Sequence, residues 1–149
     1  MRCINFDKEF ERFMMAYVKE HGKEYKNYDA IEAAMPDIYA LFLDTPANWL
    51  GGKKPGEYFE QFDNAKQLVN WMEDYIKQRI PVPDMLMNRI SELGKEAEDA
   101  LMNLLRKERA PREAVMQAMT LLREIESCAA MQRYIDWQAV RVAGQEDEL

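Results

Sequence analysis

The sequence holds few residues of the types that act as nucleophiles or metal ligands. His21 is the only histidine, so a histidine metal cluster or a Ser-His-Asp relay lacks its other members. Cys3 and Cys128 lie near opposite ends of the chain without a CxxC pairing, which predicts two reduced thiols, with Cys128 a small buried side chain. We therefore expect no metal site and no cofactor.

Carboxylates are plentiful but do not form a recognisable catalytic pair. The chain has 27 Asp and Glu against 20 Lys and Arg, a formal net charge of −7. Pairs such as Glu57 and Glu60 arise on any solvated helix face, and no apolar pocket that would raise a carboxyl pKa is evident around one. We assign no catalytic residue and expect a non-enzymatic protein. The negative charge also disfavours nucleic-acid binding.

Two groups of basic residues are candidates for anion or partner contacts. Gly51-Gly52-Lys53-Lys54 combines flexible backbone with lysines, but it lacks the GxxxxGK[ST] spacing of a nucleotide-binding loop. A second group, around Arg109 and Arg112, falls at a predicted corner between helices. A solvated turn is the ordinary interpretation of this corner, and a contact with an anion or an acidic peptide is the alternative.

Trp49 and the methionines are the apolar candidates for partner binding. Trp49 lies in the loop TPANWLGGKKPG over residues 45–56, where we expect it to be the most exposed tryptophan. The 11 methionines either fill the core or line an adaptable groove for a peptide or an amphipathic helix. The predicted partner-binding residues are Trp49, Lys53, Lys54, Arg109 and Arg112.

The elements that must position these residues are helices. Apolar residues recur at three- and four-residue spacing throughout, and no run alternates long enough to indicate a strand, so the fold class is all-α. Aspartates are the expected caps of three helices, and proline or glycine bounds most of the others. The predicted helices are Asp7–His21, Asp29–Asp44 divided at Pro36, a short helix that starts at Pro55 and carries Tyr58, Phe59 and Phe62, a helix from Asp63 to Arg79, Pro83–Leu93, Lys95–Lys107, Pro111–Glu126 and Ser127–Val142.

Equivalent apolar pairs recur along the second half of the chain at helix-pair spacing. Tyr75-Ile76, Leu104-Leu105 and Tyr134-Ile135 follow one another at intervals within the 20–50 residues of repeat architectures. The segment ISELGKEAEDALMNLL, residues 90–105, resembles the HEAT repeat in its short bacterial form: an apolar helix end, a Leu-Gly corner, then small residues and a leucine pair. The copy over residues 121–137 has Glu126 where the corner usually carries glycine. The resemblance implies antiparallel helix pairs stacked as a short superhelix.

The whole chain, residues 1–149, is predicted to be one domain. Residues 1–62 are expected to form an N-terminal helical cap, 63–142 the HEAT-like pairs, and 143–149 a frayed acidic tail. The charged N-terminus and the lack of an apolar run of about 20 residues predict a cytoplasmic protein that does not enter a membrane.

The expected function is protein–protein interaction or scaffolding with an unidentified protein or peptide, and a homodimer is possible. An alternative is a small-molecule-binding or enzymatic pocket between the cap and the helical repeats. Four aromatic residues were candidates to line that pocket: Tyr25, Tyr28, Tyr58 and Phe59.

Overall fold

The computed structural model describes residues 2–126, and this part of the chain is all-α, as predicted. Short 3₁₀ turns at Gly22–Glu24, Asn48–Leu50 and Pro55–Gln61 join some of the helices. Within the described residues, β-type pairing is limited to one isolated bridge between Ala47 and Lys53. The helices are α1 (Phe6–His21), α2 (Tyr28–Ala33), α3 (Met35–Leu43), α4 (Ala65–Lys77), α5 (Asp84–Glu92), α6 (Lys95–Arg106) and α7 (112–126).

Asparagine side chains cap three of the helices. The side-chain oxygens of Asn5, Asn27 and Asn64 accept backbone N–H bonds from the first turns of α1, α2 and α4. The aspartates predicted as caps were wrong by one or two positions. Asp7 and Asp29 instead lie in the first turns, where a negative charge interacts favourably with the helix dipole. The cap positions set where each helix begins and therefore which face it buries.

Proline and glycine divide the helices where the sequence indicates. Pro36 lies in the first turn of α3, where its missing N–H costs no helical hydrogen bond, and the chain bends between α2 and α3 at Ala34. Gly94 separates α5 from α6 with a φ of 56°, a left-handed conformation that a side chain disfavours. The predicted Leu-Gly corner is therefore a real turn between two helices.

Helix α4 lies at the centre of the packing and contacts both α5 and α6. Leu68, Met72 and Tyr75 from this helix have no exposed surface. They belong to a single buried cluster that extends along the chain from Phe6 to Ile125. The two segments predicted as cap and repeats thus share one core.

Hydrogen bonds also attach the N-terminal segment to this core. The Trp71 indole Nε1 donates to the Arg2 carbonyl at 2.9 Å, and the Tyr75 hydroxyl donates to the Ile4 carbonyl at 2.8 Å. Both donors lie on α4, and both would lose their acceptor if the N-terminal segment moved away. Buried Tyr and Trp polar atoms need such partners, so these bonds fix the segment that precedes α1.

Helix α7 presents a narrower buried face than predicted. Its buried residues are Ala114, Ala118, Leu121 and Ile125. Helical spacing predicts that Met119 lines a seam shared with the neighbouring helices, but Met119 lies off the buried stripe and is 49% exposed. Met116 is likewise exposed.

Several predictions concern residues outside the described range. They are the buried state of Cys128, the helix over 127–142 with the pair Tyr134-Ile135, and the acidic tail over 143–149.

Candidate functional site

A groove of about 540 Å³ lies between α1 and the segment that forms α2 and the start of α3. We call it the methionine groove. One wall comes from α1 and the other from α2 and Met35, and most of the lining is apolar. The lining residues are Met14, Met15, Val18, Lys19, Tyr28, Ile31, Glu32 and Met35.

Helix α1 contributes to this groove because its apolar surface is wider than its own packing requires. Phe10 and Phe13 face α3, with ring centroids 5.4 Å from that of Phe42. Met14 and Val18 are four residues apart and therefore share an adjacent face, which α3 does not cover. The helical spacing of Met14 and Val18 predicts that Val18 belongs to the core stripe of α1, and this prediction is wrong because Val18 is exposed at the groove.

The most exposed apolar side chains stand one on each wall of the groove. Met15 on α1 and Tyr28 on α2 are each 75% exposed, and Met35 and Val18 are also exposed. Scattered apolar residues are normal on a protein surface, but a contiguous group around a concavity is typical of an interaction site. The unbranched thioethers of Met14, Met15 and Met35 adapt their shape to a partner at low cost.

Two charged side chains complete the groove. Lys19 lies on the α1 wall and Glu32 on the α2 wall. Neither forms an ion pair with another residue in the part of the chain that the structure describes. The described walls of the groove thus carry opposite charges, positive on α1 and negative on α2.

Polar contacts at the end of α1 support the turn into α2. The hydroxyl groups of Tyr17 and Tyr25 are hydrogen-bonded at 2.8 Å, and this bond raises the Tyr17 pKa to about 12. His21 lies on the Tyr17 ring and contacts the Glu24 carboxylate at 3.2 Å. These residues hold the Gly22–Glu24 turn, and the chain returns from it along the groove at Tyr28.

Trp49 is partly exposed, as the sequence predicts for a tryptophan in this loop. Its exposed fraction is 39%. The rest of the ring stacks against Phe42 and meets Phe6 edge-on, with centroid distances of 6.4 and 5.7 Å. It also lines a second cavity of about 420 Å³, next to Arg12 and Phe13. Trp49 therefore contributes to packing as well as to the surface.

The loop containing Lys53 and Lys54 is an ordered turn. The Lys54 ammonium lies 2.9 Å from the Asp44 carboxylate, and this hydrogen bond raises the Lys54 pKa. Lys53 is exposed, and its carbonyl accepts a bond from the Ala47 N–H at 3.0 Å. Lys54 is thus paired with Asp44, whereas the Lys53 ammonium forms no ion pair with another described residue.

Of the other predicted contacts, Arg109 lies in the connection after α6 and Arg112 is the first residue of α7. Both are exposed. Their neighbour Lys107 reaches the buried Glu73 carboxylate at 2.7 Å, and Lys77 approaches the same carboxylate at 3.6 Å. Lys107 is thus a structural residue that compensates a buried charge. Trp49, Lys53 and Lys54 belong to one loop and the two arginines to another connection.

Within residues 2–126, the four aromatic residues proposed for a pocket between cap and repeats have different surroundings. Phe59 is buried among aromatic rings with Tyr58, Tyr25 bonds to Tyr17, and Tyr28 lines the methionine groove. A cavity of only about 100 Å³ lies between the Pro55–Gln61 turn and α5. Ligand pockets usually measure about 300–1,000 Å³, and this cavity is smaller.

Residues 2–126 show no group of three His, Cys, Asp or Glu side chains arranged to hold a metal ion. Among the helices of that range, none combines the length and apolar character needed to cross a membrane. The chain matches no protein-family model, no curated protein and no solved structure. The fold and the groove together define an all-α protein with an exposed apolar cleft on its N-terminal helices.

Proposed function

We propose that this protein is a non-enzymatic binding module, and that the methionine groove is where it holds an apolar segment of another protein surface. The observation that carries the proposal is the apolar lining of the groove, with Met15 and Tyr28 each 75% exposed. Covering these side chains would remove apolar surface from water, which is the main favourable term in protein association.

The lining favours a protein surface over a substrate. Among the described residues that line it, Lys19 and Glu32 are the charged ones, and none is a histidine, a cysteine or a serine. An amphipathic helix that fills such a groove uses apolar side chains as anchors and polar ones at the edges. Methionine-rich walls suit this mode because their side chains can repack around anchors of different shapes.

The partner-binding residues predicted from the sequence remain hypotheses in addition to the methionine groove. Trp49 belongs to a neighbouring cavity that also includes Phe13 of α1, so it could extend the contact surface. A Trp49→Ala variant would also remove packing from Phe6 and Phe42, so its loss of binding would be hard to interpret. Groove residues that are exposed in the free protein make cleaner test positions.

We also propose that α4 to α7 stack as HEAT-like helix pairs, which would form the scaffold that carries the groove. The glycine corner at Gly94 and the burial of Tyr75 and Leu104 at equivalent repeat positions support this. An experimental structure of the full chain tests the stacking: successive pairs should be related by a constant rotation. Unrelated crossing angles would contradict a repeat. The cytoplasmic location stays a prediction.

Site-specific photo-crosslinking tests the binding function. A photoreactive residue replaces Met15 in the full chain, and the matched control carries it at Met116, a 57% exposed methionine on α7. In lysate from the cells that produce the protein, position 15 should give a discrete protein adduct that a Tyr28→Lys substitution removes.

Each other outcome of this experiment counts against the proposal. Equal adducts from positions 15 and 116 would indicate random collision. An adduct of only a few hundred daltons would identify a small apolar ligand instead of a protein. The absence of any adduct at position 15 would contradict binding at the groove.

A further inference from the structure

The two walls of the methionine groove carry the same pattern with opposite charges. On α1, the exposed Met15 is followed four residues later by Lys19; on α2, the exposed Tyr28 is followed four residues later by Glu32. Residues four apart lie on one face of a helix. Each wall therefore presents a protruding apolar side chain next to one charge, positive on α1 and negative on α2.

A surface of this kind is complementary to itself. In a two-fold symmetric dimer, when one residue contacts a second residue of the partner, the same contact occurs again in reverse. If the α1 wall of one protomer faces the α2 wall of the other with Lys19 opposite Glu32, this contact occurs twice in the interface. The protruding side chains of each copy would enter the groove of the other.

Resting on the proposed function, we propose that the partner held in the methionine groove is a second copy of this chain, in a two-fold dimer with reciprocal Lys19–Glu32 contacts. The charge pattern favours this occupant over an arbitrary apolar segment. Any apolar segment would cover Met15 and Tyr28, but this chain supplies both charges in the required positions. Because few side chains are involved, we expect a weak dimer with a dissociation constant of about 1–100 μM.

Sedimentation velocity of the full chain over a concentration series up to about 200 μM tests the dimer. The wild-type chain should move from monomer to dimer, and Met15→Lys should keep it monomeric. The matched variant Met116→Lys places the same substitution on an exposed methionine outside the groove and should dimerise like the wild type. Circular dichroism checks that each variant keeps its helical content.

Charge reversal tests the reciprocal contacts. Lys19→Glu and Glu32→Lys should each weaken self-association by about tenfold, since each replaces two attractive contacts with two repulsive ones. The double variant Lys19→Glu/Glu32→Lys should recover wild-type dimerisation, because exchanged charges still meet their opposites in a two-fold pair. A different partner protein could not be rescued in this way.

A failure of the proposed dimer can be distinguished from a failure of the proposed binding function. A chain that stays monomeric, a dimer that survives Met15→Lys, or a double variant as weak as the single ones would overturn the self-association. If the crosslink from position 15 in lysate still captures another protein, the groove remains a binding site with a different occupant. If both experiments fail, the binding function falls with the dimer.

Discussion

Helices α1 and α4 are both amphipathic, yet they use their apolar side chains differently. The 13-residue α4 buries seven residues, whereas only Phe6 is buried among the 16 residues of α1. The apolar side chains of α4 meet α5 and α6, but those of α1 extend past the cover that α3 provides. More of the apolar surface of α1 than of α4 therefore stays exposed, and in the proposed function this surface binds a partner.

The largest effect that separates the two helices should come from truncating the core of α4. Leu68 has no exposed surface, so Leu68→Ala removes buried methyl groups and leaves a cavity. We expect it to lower the free energy of unfolding by about 2–5 kcal/mol. Urea denaturation followed by circular dichroism measures this. A loss below about 0.5 kcal/mol, the range of ordinary surface positions, would mean that α4 is not the centre of the core.

An intermediate effect should come from the hydroxyl that ties the N-terminal segment to α4. Tyr75→Phe leaves the Ile4 carbonyl without its donor, which should cost about 1–3 kcal/mol at neutral pH. Burial raises the Tyr75 pKa, so the folded chain retains a proton that an unfolded tyrosine releases near pH 10.

The pH dependence gives this prediction a second readout. The contribution of Tyr75 is fully present below about pH 10 and decreases as the pH rises further, because the unfolded state then binds fewer protons. The stability of the wild type should therefore fall more steeply above pH 10 than that of Tyr75→Phe. Lys54, whose pKa is also raised, is present in both chains and cancels in the comparison. Parallel pH profiles would contradict the assignment.

The smallest effect on stability should come from the groove. Met15 is 75% exposed, so Met15→Ala should change the free energy of unfolding by less than about 0.5 kcal/mol when the protein is dilute. Denaturation at low protein concentration measures the free energy of unfolding of the monomer, without a contribution from association. A loss comparable to that of Leu68→Ala would show that Met15 is part of the core and would end the contrast between α1 and α4.

The sequence predicts the helices well because their signals are local. Pro36 divides α2 from α3, Gly94 ends α5, and the residues predicted to be inward on α4 are largely buried. The cap positions were less accurate because Asn and Asp have similar preferences, and here an asparagine lies within two residues of each aspartate. Choosing between them depends on how the helix rotates into the core.

The groove could be predicted only in outline. The methionine count indicates either core filling or an adaptable surface; Met72 is fully buried, whereas Met15 is 75% exposed. Spacing alone cannot separate them, since both lie on helical apolar stripes. Whether a methionine is buried or exposed depends on which helix covers its stripe, and this is set by tertiary packing. Val18 was assigned to the core of α1 for the same reason.

Methionine footprinting measures whether the exposed apolar surface of α1 is covered by a partner, as we propose. Oxidation of Met15 and Met35 would be compared in cells and in dilute purified protein, with Met116 as the exposed control. We expect Met15 and Met35 to oxidise more slowly in cells while Met116 keeps its rate. Equal protection of all three methionines, or none at Met15 and Met35, would contradict this proposal.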